Sequence, residues 1–478
     1  MPWPIEDKHV KRYPHFDDVA PARDLIELAT DPAAVQRHAF FPFLRYLQSW
    51  KPFKSGAGAP RRKKERPIRY AARKDAAIYT YYRHQLAELY EEELKHRGIN
   101  ACPIAYRKLV SSTTGRGKCN ADFASDAFAA IRALGNCCAV TLDISQFFES
   151  LDHGALEAAW VRLLAAPRLP KDHLAVFRAI TEYSDVDRNA AYQRLRFFGV
   201  KRTAGGRLRL GFLVSKKSMP SRLCTIRQFR DLICGGDSRF PSLLEKNSTG
   251  KGIPQGSPIS DILANLYMLE FDASIDAFVS GQSGIYFRYS DDIFIAVPGD
   301  ASAADAVIAS VQAALAAHCP GLSIKAAKTS KLAFTQIAPG RQHVLNIDRP
   351  KATGGLDYLG FRFDGHRVYI RESTVSKLHR KIAFAARSHA RLLARRFPGR
   401  DRAFLECQFN LGQFDQRFGR VAEFESRLSK KNWTFHTYVK RCSSVFPDHA
   451  STFYHQLRNY RAFLSRARDE ALDRVAPP

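Results

Sequence analysis

Two adjacent aspartates, Asp291 and Asp292, interrupt the run IYFRYSDDIFIAV, which otherwise reads as buried strand. A third, Asp143, closes another apolar run, NCCAVTLD. Burying one ionised carboxylate without a partner is costly, and neighbouring ones repel each other. The simplest reading is two short strands, IYFRY and IFIAV, with the acids at the tight turn between them. If the strand ending at Asp143 lies alongside, three carboxylates meet. Such a cluster calls for a hard cation, and oxygen-only ligands favour Mg²⁺ that keeps some waters and takes further ligands from phosphates. Two such ions roughly 4 Å apart clamp an in-line phosphoryl transfer. Alone, Asp143 is weak evidence, because an aspartate after a strand usually caps a helix. No Ser/His/Asp or Cys/His constellation competes with the acids, and no GxxxxGK[ST] phosphate loop occurs.

The composition names the partner class. Across 478 residues there are 74 Lys+Arg against 47 Asp+Glu, a net charge of +27. That excess fits a polyanion, most simply nucleic acid. Residues 61–74 carry eight Lys/Arg against one Glu, and residues 371–400 carry nine against Glu372 alone. Tyr79, Tyr81 and Tyr82 follow the first run and either stack on bases or pack inward. The hydrophobic fraction of 45% and charged fraction of 25% are ordinary globular usage. No apolar run reaches the roughly 18–20 residues of a spanning helix, and the first residues lack a signal-peptide core, so no membrane partner is expected. Nine cysteines without a CxxC pair fit reduced thiols and a cytoplasmic setting.

The elements that must position the acids are legible in part. A helix covers DAAIYTYYRHQLAELYEEELKHRGI, closed by Gly98. Short strands and turns lead to Asp143, and a Gly-rich hairpin lies at VKRTAGGRLRLGFLV. One amphipathic helix covers ISDILANLYMLEFDASIDAF, another ASAADAVIASVQAALAAH, and strands follow at KTSKLAF and LDYLGFRF. From 371 the chain reads helical and basic. Strands interleaved with helices, then a helical module, make an α+β chain.

Three stretches in order, DISQFFESLDH, GIPQGSPISDILANLYM and YSDD within a hydrophobic hairpin, resemble the palm motifs of reverse transcriptases. The resemblance is strongest to bacterial enzymes related to group II introns and retrons, and among them to those associated with antiphage defence. It implies a right-hand polymerase with fingers, palm and helical C-terminal thumb. The implied domains are an N-terminal extension at 1–69, fingers at 70–138, palm at 139–370 with a long insertion at about 154–251, and a basic thumb-like domain at 371–478. It makes Asp143, Asp291 and Asp292 the catalytic metal ligands for two Mg²⁺, with Mn²⁺ as a substitute. Phe148 matches the ring that blocks a nucleotide 2′-hydroxyl, and Gln255 the residue touching incoming nucleotide and template. Lys328 matches the lysine near the leaving pyrophosphate, and LDYLGFRF the strands that grip the primer end. For the fingers cation that meets the triphosphate, AYRKLVSSTTGRGKCNADF offers Arg107, Arg116 and Lys118, with Arg107 and Lys118 the stronger pair. The implied partners are an RNA template (a dedicated noncoding RNA), a primer, dNTPs and the DNA/RNA hybrid product, in the bacterial cytoplasm. Two enzymatic alternatives remain, an RNA-directed RNA polymerase and a template-independent nucleotidyltransferase. A third, of another class, is a catalytically degenerate RNA-binding scaffold.

Overall fold

The computed structural model describes residue 6 and residues 9–50, 63–111, 115–202, 206–351, 354–419 and 434–476. Part of the basic run (61–62) and residues 112–114 beside Arg116 lie outside the described residues. Along the chain the strands are β1 (Phe43–Trp50), β2 (Lys64–Tyr70), β3 (Cys137–Asp143), β4 (Ser184–Asp187), β5 (Phe198–Arg202), β6 (Leu208–Phe212) and β7 (Glu245–Lys246). There follow β8 (Ile285–Tyr289), β9 (Asp292–Pro298), β10 (Ser330–Ala338), β11 (Arg341–Asn346), β12 (Leu356–Tyr358), β13 (Phe361–Phe363) and β14 (Val368–Ile370).

The central sheet runs β11-β10-β3-β9-β8, and every neighbouring pair is antiparallel. Its strands explain why the apolar runs of the sequence are unbroken. Successive side chains of a strand point to opposite faces, and here both faces are covered. Cys138, Val140, Leu142, Ile293, Ile295 and Val297 pack into the core formed with helices Arg73–His96, Ser260–Tyr267, Leu269–Ser280 and Ala301–His318. Cys137, Ala139, Phe294, Ala296, Leu332 and Phe334 pack on the other side against helix Asn120–Leu134, β12–β14 and the C-terminal helices.

Three features differ from the reading of the sequence. The expected single helix over ISDILANLYMLEFDASIDAF is two helices, Ser260–Tyr267 and Leu269–Ser280, broken at Met268, whose backbone leaves helical geometry (ψ 3°). The basic C-terminal helices are not a separate module in their packing. Helix Glu372–Arg396 buries Leu378, Ile382, Ala386 and Leu393 in the same core as Phe294 and Phe334. Tyr79 and Tyr82 are about 1% exposed, Tyr79 stacking on Phe43, so these two rings pack inward and are closed to bases. Among the described residues no helix is long and apolar enough to cross a membrane.

The N-terminal residues and the segment read as an insertion meet in one sheet, ordered β2-β1-β4-β7. β4 lies parallel to β1, pairing Phe43 with Asp185 and Arg45 with Asp187. Asp185, 3% exposed, joins these pieces. Its carboxylate takes Arg69 Nε at 2.6 Å and faces Arg45 Nε at 3.0 Å. Replacing it leaves the Nε atoms of both guanidiniums without the carboxylate they share, though Arg45 still reaches Glu245. Asp185→Ala is expected to cost roughly 1–3 kcal/mol, read from the denaturant midpoint of the purified protein.

Candidate active site

β3 and β9 lie in a register that sets Asp143 directly opposite Asp292. Asp291 occupies the turn between β8 and β9, and its carbonyl accepts from Ile144 N–H at 3.0 Å. The segment just after β3 is therefore stitched to the turn, and the three carboxylates gather at one end of the sheet. Asp152, nine residues further on, does what a lone aspartate ordinarily does, capping helix His153–Leu163 through Ala155 N–H. Asp143 has no such task.

The turn is held in an unfavoured shape. Ser290 sits at φ +61°, a left-handed conformation that costs a non-glycine residue roughly 1–2 kcal/mol. Tyr106 Oη donates to Ser290 Oγ at 3.0 Å, and Arg288 Nη1 donates to the Ser290 carbonyl at 3.2 Å. Arg288 itself is fully buried, as is Asp272. The guanidinium meets both oxygens of Asp272, at 2.7 and 2.6 Å, and Tyr286 Oη donates to the same carboxylate at 2.6 Å. Arg288 Nη1 also reaches Asn265 Oδ1 at 3.3 Å. The hairpin that carries the acids is thus anchored from below to helices Ser260–Tyr267 and Leu269–Ser280.

The electrostatics are those of crowded anions. Asp143 is 7% exposed and Asp291 half-buried, while Asp292 reaches solvent at the start of β9. Desolvation raises the Asp291 carboxyl above its ordinary value, with Asp143 adding to the rise. Asp292 is pushed up to about 6 by desolvation first and then by Asp291 and Asp143. The opposing cations are Lys328, Arg66 and Arg371. Lys328 forms an ion pair and hydrogen bond with Asp143 Oδ2, and Lys325 N–H donates to the Asp143 carbonyl at 2.8 Å.

Phe148 and Gln255 arrive from separate segments tied together by backbone. Ile253 N–H donates to the Phe148 carbonyl at 2.8 Å, and Gly252 N–H to that of Leu151 at 2.7 Å. Phe148 is half-buried against the core and meets Phe147 edge-on at 5.4 Å. Gly256 (φ +112°) lies so close to β2 that an added Cβ would come 2.6 Å from the Arg69 carbonyl. Arg69 N–H in turn donates to the Gln255 carbonyl at 2.9 Å. This contact brings β2 up to the Gln255 turn.

That approach bears on the fingers cation. Arg107 donates to both Glu91 oxygens at 2.7 Å and to the carbonyls of Asn100 and Pro103, and its side chain is 4% exposed. It is committed as a clasp within the fold. Lys118 pairs with Asp126 at 2.7 Å over the Phe123 ring. Arg66, on the exposed part of β2, is a cation that lowers Asp291 slightly, after Lys328. The residue lies in the basic run RRKKERPIRYAARK. Nothing in that run separates one arginine from another until the chain is folded.

Residues 215–363 match the reverse transcriptase (RNA-dependent DNA polymerase) family. Over that span the chain is similar to reverse transcriptases. The matched span takes in Gln255, Asp291, Asp292 and Lys328. Asp143 and Phe148 precede it and join it through the β3–β9 pairing and the Phe148–Ile253 bond. No curated protein matches the chain. Solved structures similar to it include three Candida telomerases. The telomerase from Candida albicans in complex with a TWJ fragment of telomeric RNA is 12% identical, with a TM-score of 0.38, over 94% of this chain and 61% of that one. Apo telomerase from Candida tropicalis is 9% identical, with a TM-score of 0.39, over 90% and 65%. The form of it truncated from the C-terminal domain is 9% identical, with a TM-score of 0.37, over 67% and 53%. The chain thus spans between about half and two thirds of the length of these structures.

Two outcomes follow for stability. Arg288→Met strands the buried Asp272 carboxylate and is expected to destabilise by roughly 3–5 kcal/mol, measured by urea unfolding. Asp292→Asn removes one crowded anion and should raise the thermal midpoint at pH 7.5. A carboxyl raised to about 6 in the fold gives its stability below its unfolded value and loses it as pH rises through 6. The gain from Asp292→Asn should therefore shrink from pH 7.5 to pH 5 and vanish near pH 4 in a pH series of melting curves.

Proposed function

We propose that the chain is an RNA-directed DNA polymerase, adding dNTPs to a primer 3′-hydroxyl opposite an RNA template. The observation that carries this is the register of Asp143 opposite Asp292 with Asp291 at the intervening turn, beside a matched reverse transcriptase segment. Carboxylates gathered at one end of the sheet repel one another, and a divalent cation relieves that repulsion. Asp143, Asp291 and Asp292 would hold two Mg²⁺, or Mn²⁺ in their place. Among the described residues no three His, Cys, Asp or Glu donors converge into a ready cage. Mg²⁺ needs none where waters and triphosphate oxygens complete its shell. Bound there, the ions would acidify the primer hydroxyl and neutralise the departing pyrophosphate.

The chain's own residues supply the rest. Lys328, ion-paired with Asp143, is placed to exchange that carboxylate for the leaving pyrophosphate. Arg66 on β2 takes the role of fingers cation for the triphosphate. Phe148 closes the sugar's 2′ side, and Gln255, fixed by Arg69 N–H, lines the nucleotide and template. Fingers at 70–138 thereby gain β1 and β2, while the palm at 139–370 and the basic residues from 371 form the bed and grip for the hybrid product. The segment 188–230, with twelve Lys/Arg and no acid, adds surface for nucleic acid. The further layer of the reading is a bacterial, cytoplasmic role in antiphage defence on a dedicated noncoding RNA. It is supported by the sequence resemblance and the long 154–251 segment.

Asp291→Ala/Asp292→Ala should reduce Mg²⁺-dependent dNTP incorporation to background in a primer-extension assay while RNA binding stays within about twofold. Surviving incorporation would overturn the assignment. Phe148→Ala should raise rNTP use relative to dNTP by at least about tenfold. An unchanged ratio would remove the ring's role and favour an RNA-directed RNA polymerase. Sequencing the nucleic acid that co-purifies addresses the template, where one enriched RNA is expected and unselected cellular RNA would count against it.

A further inference from the structure

The central sheet has a second end. β3 runs from Cys137 to Asp143, roughly 20 Å, and β10 pairs Phe334 with Cys137 before turning into β11 at Gly340. The β10–β11 turn therefore lies at the end away from the carboxylates. The β12–β14 sheet is oriented the same way. Tyr358 acts on the Asp292 side, and the β13–β14 turn at 364–367 lies opposite. Between these two turns and the helical segment 448–455 is a cavity of about 940 Å³.

Arg132, Arg341 and Arg367 line it together with His366, His449 and His455. Their bonding is unusual. Arg132 donates to His449 Nε2 at 2.9 Å and to the His366 carbonyl at 3.2 Å. Arg341 approaches His366 Nε2 at 3.5 Å, and Arg458 donates to His455 Nε2. An arginine has no acceptor, so each imidazole nitrogen facing one must be the neutral acceptor. Desolvation, followed by Arg132, lowers the pKa of His449, which keeps that ring neutral. Arg132 is thus oriented by hydrogen bonds that cancel none of its charge, and Arg341 faces an imidazole in the same way. Two acids, Asp448 and Asp364, lie near enough to favour the charged form of Arg132, though neither forms an ion pair with it. Asp364 is engaged by the backbone N–H groups of His366 and Arg367, at 2.9 and 2.6 Å. Asp448 is the one carboxylate on the lining among the described residues. Among the same residues, Arg132, Arg341 and Arg367 form no ion pair with a carboxylate.

Three like charges gathered around an open cavity repel unless an anion settles between them. Guanidinium groups match phosphate by geometry as well as charge. The volume suits a nucleotide or two and is too small for a duplex, and Tyr369 is on the lining. We propose that this cavity, at the end of the sheet away from the carboxylates, binds the phosphate of a nucleotide. The phosphate belongs either to a free nucleoside triphosphate or to the backbone of a single-stranded RNA.

The test uses the full chain carrying Asp291→Ala/Asp292→Ala, so that nucleotide held at the carboxylates does not contribute. The proposal therefore stands or falls independently of the polymerase reading. Hydrogen exchange is followed over 339–341, 366–369 and 448–455 with ATP and, separately, with a ten-nucleotide oligouridylate. Protection by ATP alone assigns a free nucleotide, and protection by the RNA assigns a strand. Arg341→Glu/Arg367→Glu changes two exposed side chains and should weaken that binding by at least about tenfold with the melting temperature kept. Arg341→Gln/Arg367→Gln, should the first variant fold poorly, is expected to show a smaller loss in the same direction. Absence of protection with both probes, or protection that persists in the variants, overturns the proposal.

Discussion

The buried Asp272–Arg288 pair is the constraint on which the site depends. Neither side chain touches solvent, and taking both charges out of water is offset only by close, complete bonding. The bidentate contact, the Tyr286 hydroxyl and the reach to Asn265 supply it. What the pair contributes is position rather than net stability. One guanidinium nitrogen is left to hold the Ser290 carbonyl, and with it a left-handed turn that the next two aspartates need. A hydrophobic substitute could fill the space but could not grip that carbonyl.

With the turn fixed, the repulsion among Asp143, Asp291 and Asp292 becomes a property of the fold rather than a defect. Desolvation, and then the neighbouring Asp291 and Asp143, raise Asp292 to about 6. In this structure Lys328 offsets part of the repulsion at Asp143. Under the proposed function, that ammonium would move toward new negative charge once a cation took over the carboxylate. Flexibility of a lysine stem suits that exchange better than an arginine fork would.

The sequence shows the acids and most local elements because local signals determine them. Unbroken apolar runs mark β3 and β9, a mostly apolar run marks β8, and an Ala/Val-rich amphipathic pattern marks helix Ala301–His318. What it conceals is set by long-range pairing. Arg107 reads as available because it follows a tyrosine in a polar stretch, yet Glu91 on a preceding helix takes it. Arg66 is one cation among eight until β2 meets the Gln255 turn. The break at Met268 and the docking of the C-terminal helices onto Phe294 and Phe334 are hidden for the same reason. Helical periodicity records that a face is apolar, not what covers it.

The charge of the chain is also distributed by the sheet rather than spread evenly. One end of the central strands carries three carboxylates, and the other carries arginines whose partners are imidazoles and carbonyls. A net charge of +27 would be satisfied by any basic surface that attracts nucleic acid. It does not require guanidiniums oriented around a cavity by groups that leave their charge intact. Surface lysines would serve attraction with less ordering of side chains. Pre-oriented arginines are the arrangement expected where a particular phosphate, rather than a polyanion in general, is to be held.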